Sequence, residues 1–261
     1  MHPDEIQNVF PFHEIYTKGL WPSLNSKDRS FEPLSLGKEP SPGANITVLQ
    51  PTPEEKDYLF SNLCRFKPMR LQCDFRCDQK ALESITQASS LTGLEFGVAS
   101  TFCDISSIAR LSSLEELYFS TANKISDISC LSQMDHLKNL AFQGAYKSVA
   151  DFASVELPRN IQTLVFSGGD TSKVAVSNLE FIGQCKKLRY LALVQLKVRG
   201  RGLSSLIELQ SLEYLYLDFY RLRDWSLSDY RLLYEGLPNL KSDFVRLAAT
   251  DTEFQKLHKI K

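Results

Sequence analysis

Histidine is scarce in this chain. His2, His13, His136 and His258 are the only four in 261 residues, and none has metal-ligand spacing to another or to a cysteine pair. His136 reads as a solvated turn residue before a strand. Cys73 and Cys77 stand four apart, which is not the CxxC knuckle, and no second pair supports them. There is no glycine-rich phosphate loop of the Walker or dinucleotide type. An excess of one charge is also missing: 30 Lys and Arg against 31 Asp and Glu leave a net charge of −1. Nothing overall then favours nucleic acid or an anionic membrane. No apolar stretch is long enough to span a bilayer, and Met1–Ile6 lacks the basic start and apolar run of a secretory leader. The six cysteines do not form a secreted disulfide framework, and Cys73 and Cys185 occupy slots held elsewhere by apolar residues. The expectation is buried thiols in a reducing cytoplasm, no cofactor, no metal and no catalytic activity.

What the chain does have is a repeat. Leu82, Ile85, Ala88, Leu91, Leu94 and Phe96 form one series. A step of 23 lands on Ile105, Ile108, Leu111, Leu114, Leu117 and Phe119, and another on Ile128, Leu131, Met134, Leu137, Leu140 and Phe142. Asp104-Ile105-Ser106 returns as Asp127-Ile128-Ser129. A fixed period of roughly 20–30 residues marks a solenoid of stacked units. Apolar residues three apart fit a short helix or 3₁₀ segment with one buried face. The ending Leu114-x-x-Leu117-x-Phe119 changes to period two, which predicts a strand with Leu117 and Phe119 inside. No unit can bury its own apolar edge, so neighbours stabilise one another.

Beyond Phe142 the spacing loosens. Steps of 24, 27 and 24 reach the series ending at Phe166, Leu193 and Leu217. A last step of 28 maps Leu209, Leu212 and Leu217 to Leu237, Leu240 and Val245 but Leu215 to Asp243, and a charge in a core slot predicts the end of the stack. Upstream, Asn45–Val48 predicts a first strand. Pro53-Glu54-Glu55 opens a helix to Phe66, since proline is pre-set for a first turn and acids suit the dipole. The expected organisation is an N-terminal cap over residues 1–43, a solenoid of about seven recognisable repeats over 44–245, and a C-terminal cap over 246–261. A docking or targeting arm is the alternative for the N-terminal segment.

The text Lys124-Ile125-Ser126-Asp127-Ile128-Ser129-x-Leu131-x-x-Met134-x-x-Leu137-x-x-Leu140-x-Phe142 resembles the leucine-rich repeat superfamily, in its class of about 22 residues as in internalins and phosphatase-regulatory subunits. The resemblance implies an α/β solenoid with a parallel, concave, partner-binding sheet and short helical or 3₁₀ convex segments. Many members place an asparagine shortly after the strand; here Asn123 is the one obvious candidate and falls a residue late. Asp104, Asp127 and Asp151 precede the convex segments, where aspartate caps free backbone N–H groups more readily than it gathers a metal.

Strand neighbours alternate faces, so the residues between the buried ones line the concave side. The early strands offer Asp74, Glu95 and Glu116 with Tyr118. The late strands offer Tyr190, Tyr214, Tyr216 and Phe244, with Asp218 and Tyr220 close by. Aromatic clusters rimmed by charge make interface hot spots, although cross-strand aromatic pairs also stabilise sheets without any partner. Lys186, Lys187, Arg189, Lys197, Arg199 and Arg201 form a basic flank, read as a solvated edge or as the site of an acidic or phosphate-rich partner. The functional expectation is a non-catalytic module that binds a protein through its concave face, where acidic and aromatic groups suit a basic partner: a stoichiometric inhibitor or immunity-type protein neutralising a toxin, or a regulatory or adaptor subunit of an enzyme. A hydrolase using Glu95 and Glu116 as paired carboxylates is the rival from another class.

Overall fold

A computed structural model describes residues 31–97, 100–120, 124–143, 155–167, 174–199, 203–217 and 223–261. Asn123, Asp151, Arg201, Asp218 and Tyr220, named above, lie outside them, as do residues 1–30. The chain runs β1 (Phe31–Pro33), β2 (Asn45–Leu49), α1 (Pro53–Phe66), β3 (Arg70–Asp74), α2 (Gln79–Ile85), β4 (Gly93–Phe96), β5 (Glu116–Phe119), β6 (Asn139–Gln143), β7 (Thr163–Ser167) and β8 (Val174–Val176). It continues through α3 (Glu180–Gly183), β9 (Tyr190–Val194), β10 (Leu196–Val198), β11 (Tyr214–Leu217), α4 (Leu227–Gly236), α5 (Asp243–Thr250) and α6 (Thr252–His258).

Among the described residues, β1 to β7, β9 and β11 form one nine-stranded sheet, in sequence order and parallel throughout. β8 and β10 pair separately. The sheet register is the repeat register: Leu94, Leu117, Leu140, Leu164, Leu191 and Leu215 stand side by side on successive strands. The three series of the 23-residue step are all buried. This is the solenoid of stacked units that the periodicity implies, with the parallel sheet and short convex segments that the resemblance to leucine-rich repeats implies.

The period-three halves are short α-helices or 3₁₀ turns. The first uses the helix α2; Ser106–Arg110, Ser129–Gln133 and Ser204–Glu208 are 3₁₀ turns. Asp104 and Asp127 accept hydrogen bonds from the N–H groups of Ser106 and Ser129, each at 2.8 Å. These bonds hold both carboxyls below the usual carboxylate range. Asn178 does the same for Glu180 at 2.8 Å. The helix α1 starts where proline and the acids place it, with a capping box in which Glu55 N–H donates to Thr52 Oγ1 and Thr52 N–H to Glu55 Oε2.

A column of rings fills the interior behind the strand ends. Phe96 stacks on Phe119 at 5.6 Å between centroids, and Phe119 on Phe142 at 5.5 Å. Phe102 meets Phe96 and Phe119 edge-on.

The sheet starts one strand earlier than expected and stops at the repeat where Asp243 takes a core slot. The short strand β1 adds a rung outside β2, too brief for its three residues to show a period. At the other end Ser242 Oγ accepts from Leu215 N–H at 2.9 Å and donates to Leu215 O at 3.0 Å. One side chain thus takes the place of a further strand, and the chain turns into α5.

Candidate partner-binding face

The helices and 3₁₀ turns cover one face of the sheet. The other face presents the alternate strand residues, and its make-up changes along the stack.

At the N-terminal end the contacts are polar and cross several strands. Arg70 on β3 reaches over β4 to Glu116 on β5, with Nε–H donating to Oε2 at 3.2 Å and Nη2–H to Oε1 at 2.8 Å. Both side chains are largely buried, at 14% and 6% exposure. Glycine on the intervening strand makes the span possible: a Cβ on Gly93 would stand 2.8 Å from Arg70 Cγ. In the next row Thr47 Oγ1 donates to Gln72 Oε1 at 3.1 Å, and Gln72 Nε2 donates to Glu95 Oε1 at 3.4 Å. Glu95 Oε2 is buried and has no hydrogen-bond partner among the described residues. Burial pushes the Glu95 carboxyl up to about 7; the Gln72 bond opposes the shift and the Asp74 charge adds to it.

The middle of the face is apolar. Tyr118, Ala141, Val165 and Ala192 form a second buried cluster, with Tyr216 packed against it.

At the C-terminal end the contacts are aromatic and ionic. Tyr190 and Tyr214 stack at 5.2 Å with planes 11° apart. The Arg189 guanidinium lies 5.2 Å from the Tyr190 centroid and the Lys241 ammonium 5.6 Å from that of Tyr214. Glu213 accepts from both cations, and their hydrogen bonds push its carboxyl down to about 2. A similar pair, Lys138 with Glu115 at 2.7 Å, stands at the same position before earlier strands.

The residues singled out from sequence therefore fare differently. Tyr214 and Tyr216 are half-buried, as is Asp74, and these three keep accessible surface. Tyr190 is 8% exposed and Tyr118 6%. Glu95 and Glu116 are buried, and Glu116 is an ion-pair partner rather than a free acidic group. Phe244 is corrected: it lies in α5 with no exposure, because Ser242 ends the sheet and the following turn of helix carries Phe244 into the core. Lys186 pairs with Glu208 and Lys187 donates to Asn160 Oδ1, so part of the basic flank is already engaged. The Arg70–Glu116 pair was missed as a pair. Its signal was present in the spacing of 46 residues, two repeats apart, with a glycine between.

Among the described residues no cluster of three His, Cys, Asp or Glu side chains is arranged to hold a metal ion, and no helix is long and apolar enough to cross a membrane.

No protein-family model matches the chain, and no curated protein does. Solved leucine-rich repeat structures are similar to it. Internalin C2 of Listeria monocytogenes is 20% identical over 63% of this chain, with a TM-score of 0.44. The match spans 64% of the internalin C2 chain. LegL7 of Legionella pneumophila is 12% identical over 85% of this chain and 98% of its own, with a TM-score of 0.40. The LIC12759 protein of Leptospira interrogans is 14% identical over 76% of this chain and 64% of its own, with a TM-score of 0.36.

Proposed function

We propose that the chain is a protein-recognition module that binds a partner protein through the outer face of its sheet, with Tyr214 and Tyr216 as anchors. The observation that carries this is the state of those rings. Tyr214 is held by Tyr190 on one side and Lys241 on the other, and Tyr216 rests on the apolar cluster, yet both retain exposed surface. Pre-set rings on a rigid sheet lose little entropy on binding. Asp74, the acidic residue at the other end that keeps accessible surface, would receive a basic group of the partner. Acting by occupancy, such a module serves as a stoichiometric inhibitor or immunity-type protein, or as a regulatory or adaptor subunit. A reducing compartment suits its six unpaired cysteines, three of them buried. The hydrolase reading finds less support, because Arg70 grips the second carboxylate, Glu116, with two hydrogen bonds.

Partner capture from the native organism's lysate tests the proposal, comparing wild type with a folded Tyr214→Ala/Tyr216→Ala variant by mass spectrometry. A protein held by wild type and lost by the variant supports it. Equal recovery by both returns the tyrosines to a packing role and ends the assignment.

A further inference from the structure

Away from the outer face, α1 and α2 lie side by side in successive repeats. Helices packed this way normally fill the space between them with apolar side chains. Here Lys56, Phe60 and Ser61 of α1 face Lys80 of α2, with Phe75 and Arg76 of the loop between, and they line a cavity of about 430 Å³. That volume falls within the roughly 300–1,000 Å³ of small-molecule sites.

Two phenyl rings and three cationic side chains line the cavity. The Phe60 and Phe75 rings meet at 6.4 Å, tilted by 50°. Lys56 Nζ stands 5.1 Å above the Phe75 ring. Arg76 and Lys80 are exposed. None of these three cations is ion-paired among the described residues. Two carboxylates, Asp57 and Asp78, also line the space, so three cations against two acids leave one positive charge. Asp78 is committed elsewhere: its Oδ1 accepts from Ala81 N–H at 2.8 Å and caps α2.

We propose that this cleft binds an organic phosphate, with the phosphate on Lys56, Arg76 and Lys80 and the apolar body of the ligand against the partly buried Phe60 ring. Lys56 comes from α1, Arg76 from the loop before α2 and Lys80 from the first turn of α2. That suits a tetrahedral dianion, whereas a planar carboxylate is satisfied by a single guanidinium fork.

The probe is phenyl phosphate, titrated into the full chain and followed by amide chemical shifts. Saturable shifts confined to the amides of Phe60, Phe75, Arg76 and Lys80 are expected, with inorganic phosphate binding at the same place more weakly. Lys56→Met and Arg76→Gln should each weaken binding about tenfold or more, the usual cost of a lost charge-assisted bond. Lys259→Gln, on the C-terminal cap, should leave it unchanged. Arg76→Lys keeps the charge and should retain most of the affinity, which separates recognition from misfolding. Shifts that never saturate, or that spread over lysines across the surface, would overturn the assignment. Benzoate binding as tightly as phenyl phosphate would overturn it too, by making any anion sufficient.

Discussion

The two ends of the outer face share one sheet and one register but hold their strands together by different means. Around β3 to β5, charged and amide side chains lie flat across the sheet, bonded from strand to strand and largely dry. Around β9 and β11 the rings stack while the charges stand at the strand starts, where Arg189 and Lys241 are about half exposed. Buried polar groups cost heavily when a partner is lost, whereas stacked rings and wet ion pairs cost little. The N-terminal end should therefore be brittle and the C-terminal end tolerant, which is also what the proposed partner surface requires.

The sharpest test of that asymmetry is Arg70→Ala. It takes two charge-assisted hydrogen bonds from a buried carboxylate and should cost about 3–5 kcal/mol in urea unfolding. Gly93→Ala attacks the same span from the intervening strand, where the new methyl meets Arg70 Cγ, and should cost about 1–3 kcal/mol. If the double change Arg70→Met/Glu116→Leu recovers most of the loss, the penalty belongs to the buried charge rather than to packing. A loss under about 1 kcal/mol for Arg70→Ala, the range of a surface pair, would erase the contrast between the ends.

Glu95 gives the next largest effect, and it depends on pH. Its carboxyl ionises near 7 in the fold against an ordinary 4.5, so the folded state holds the proton more tightly than the unfolded chain. Its stability contribution is thus complete below the ordinary value and is lost as pH rises through the folded one. Glu95→Gln should stabilise the protein at pH 8 by on the order of 3 kcal/mol, and the gain should vanish near pH 4. Unfolding curves across that range read the difference, and a gain independent of pH would show that Glu95 is not the titrating group.

At the other end the Tyr190–Tyr214 stack should yield a coupling of only about 0.5–1.5 kcal/mol in a double-mutant cycle with alanine. A larger value would mean that the rings serve the fold first and a partner second.

The inward half of this molecule was legible because one force dominates it. Burial acts on every repeat alike, so Leu94, Leu117 and Leu140 announce their register by spacing alone, and the helix Pro53–Phe66 announces itself by its first turn. The outer face was only partly legible, since its rules are pairwise. Nothing in the identity of Glu116 tells whether an arginine two repeats back lies across a glycine to reach it. Phe244 was misread because the step of 28 carries the strand residue Tyr216 onto it, while a single hydroxyl on Leu215 ends the sheet. The aromatic column was half visible: Phe96, Phe119, Phe142 and Phe166 share one slot, but Phe102, which wedges against it, lies outside the repeat.

The smallest effect belongs to Glu213, and its salt dependence matters more than its size. Arg189 and Lys241 both lean on it, and both stand in solvent on their other sides. Glu213→Gln should lower stability by less than the ring coupling, and the loss should fade as ionic strength rises, because exposed pairs are screened within about 10 Å at 0.1 M salt. Lowering the pH of the wild type toward 2 should reproduce that loss, since the two cations hold the carboxyl ionised down to that range and its contribution disappears as pH falls through it. Arg70→Ala should respond to salt far less, its partner being buried. If both variants lose their effects equally at high salt, the two ends of the face do not differ in dryness and the comparison fails. If only Glu213→Gln does, the tyrosine end is the part of the sheet that a charged partner can still address.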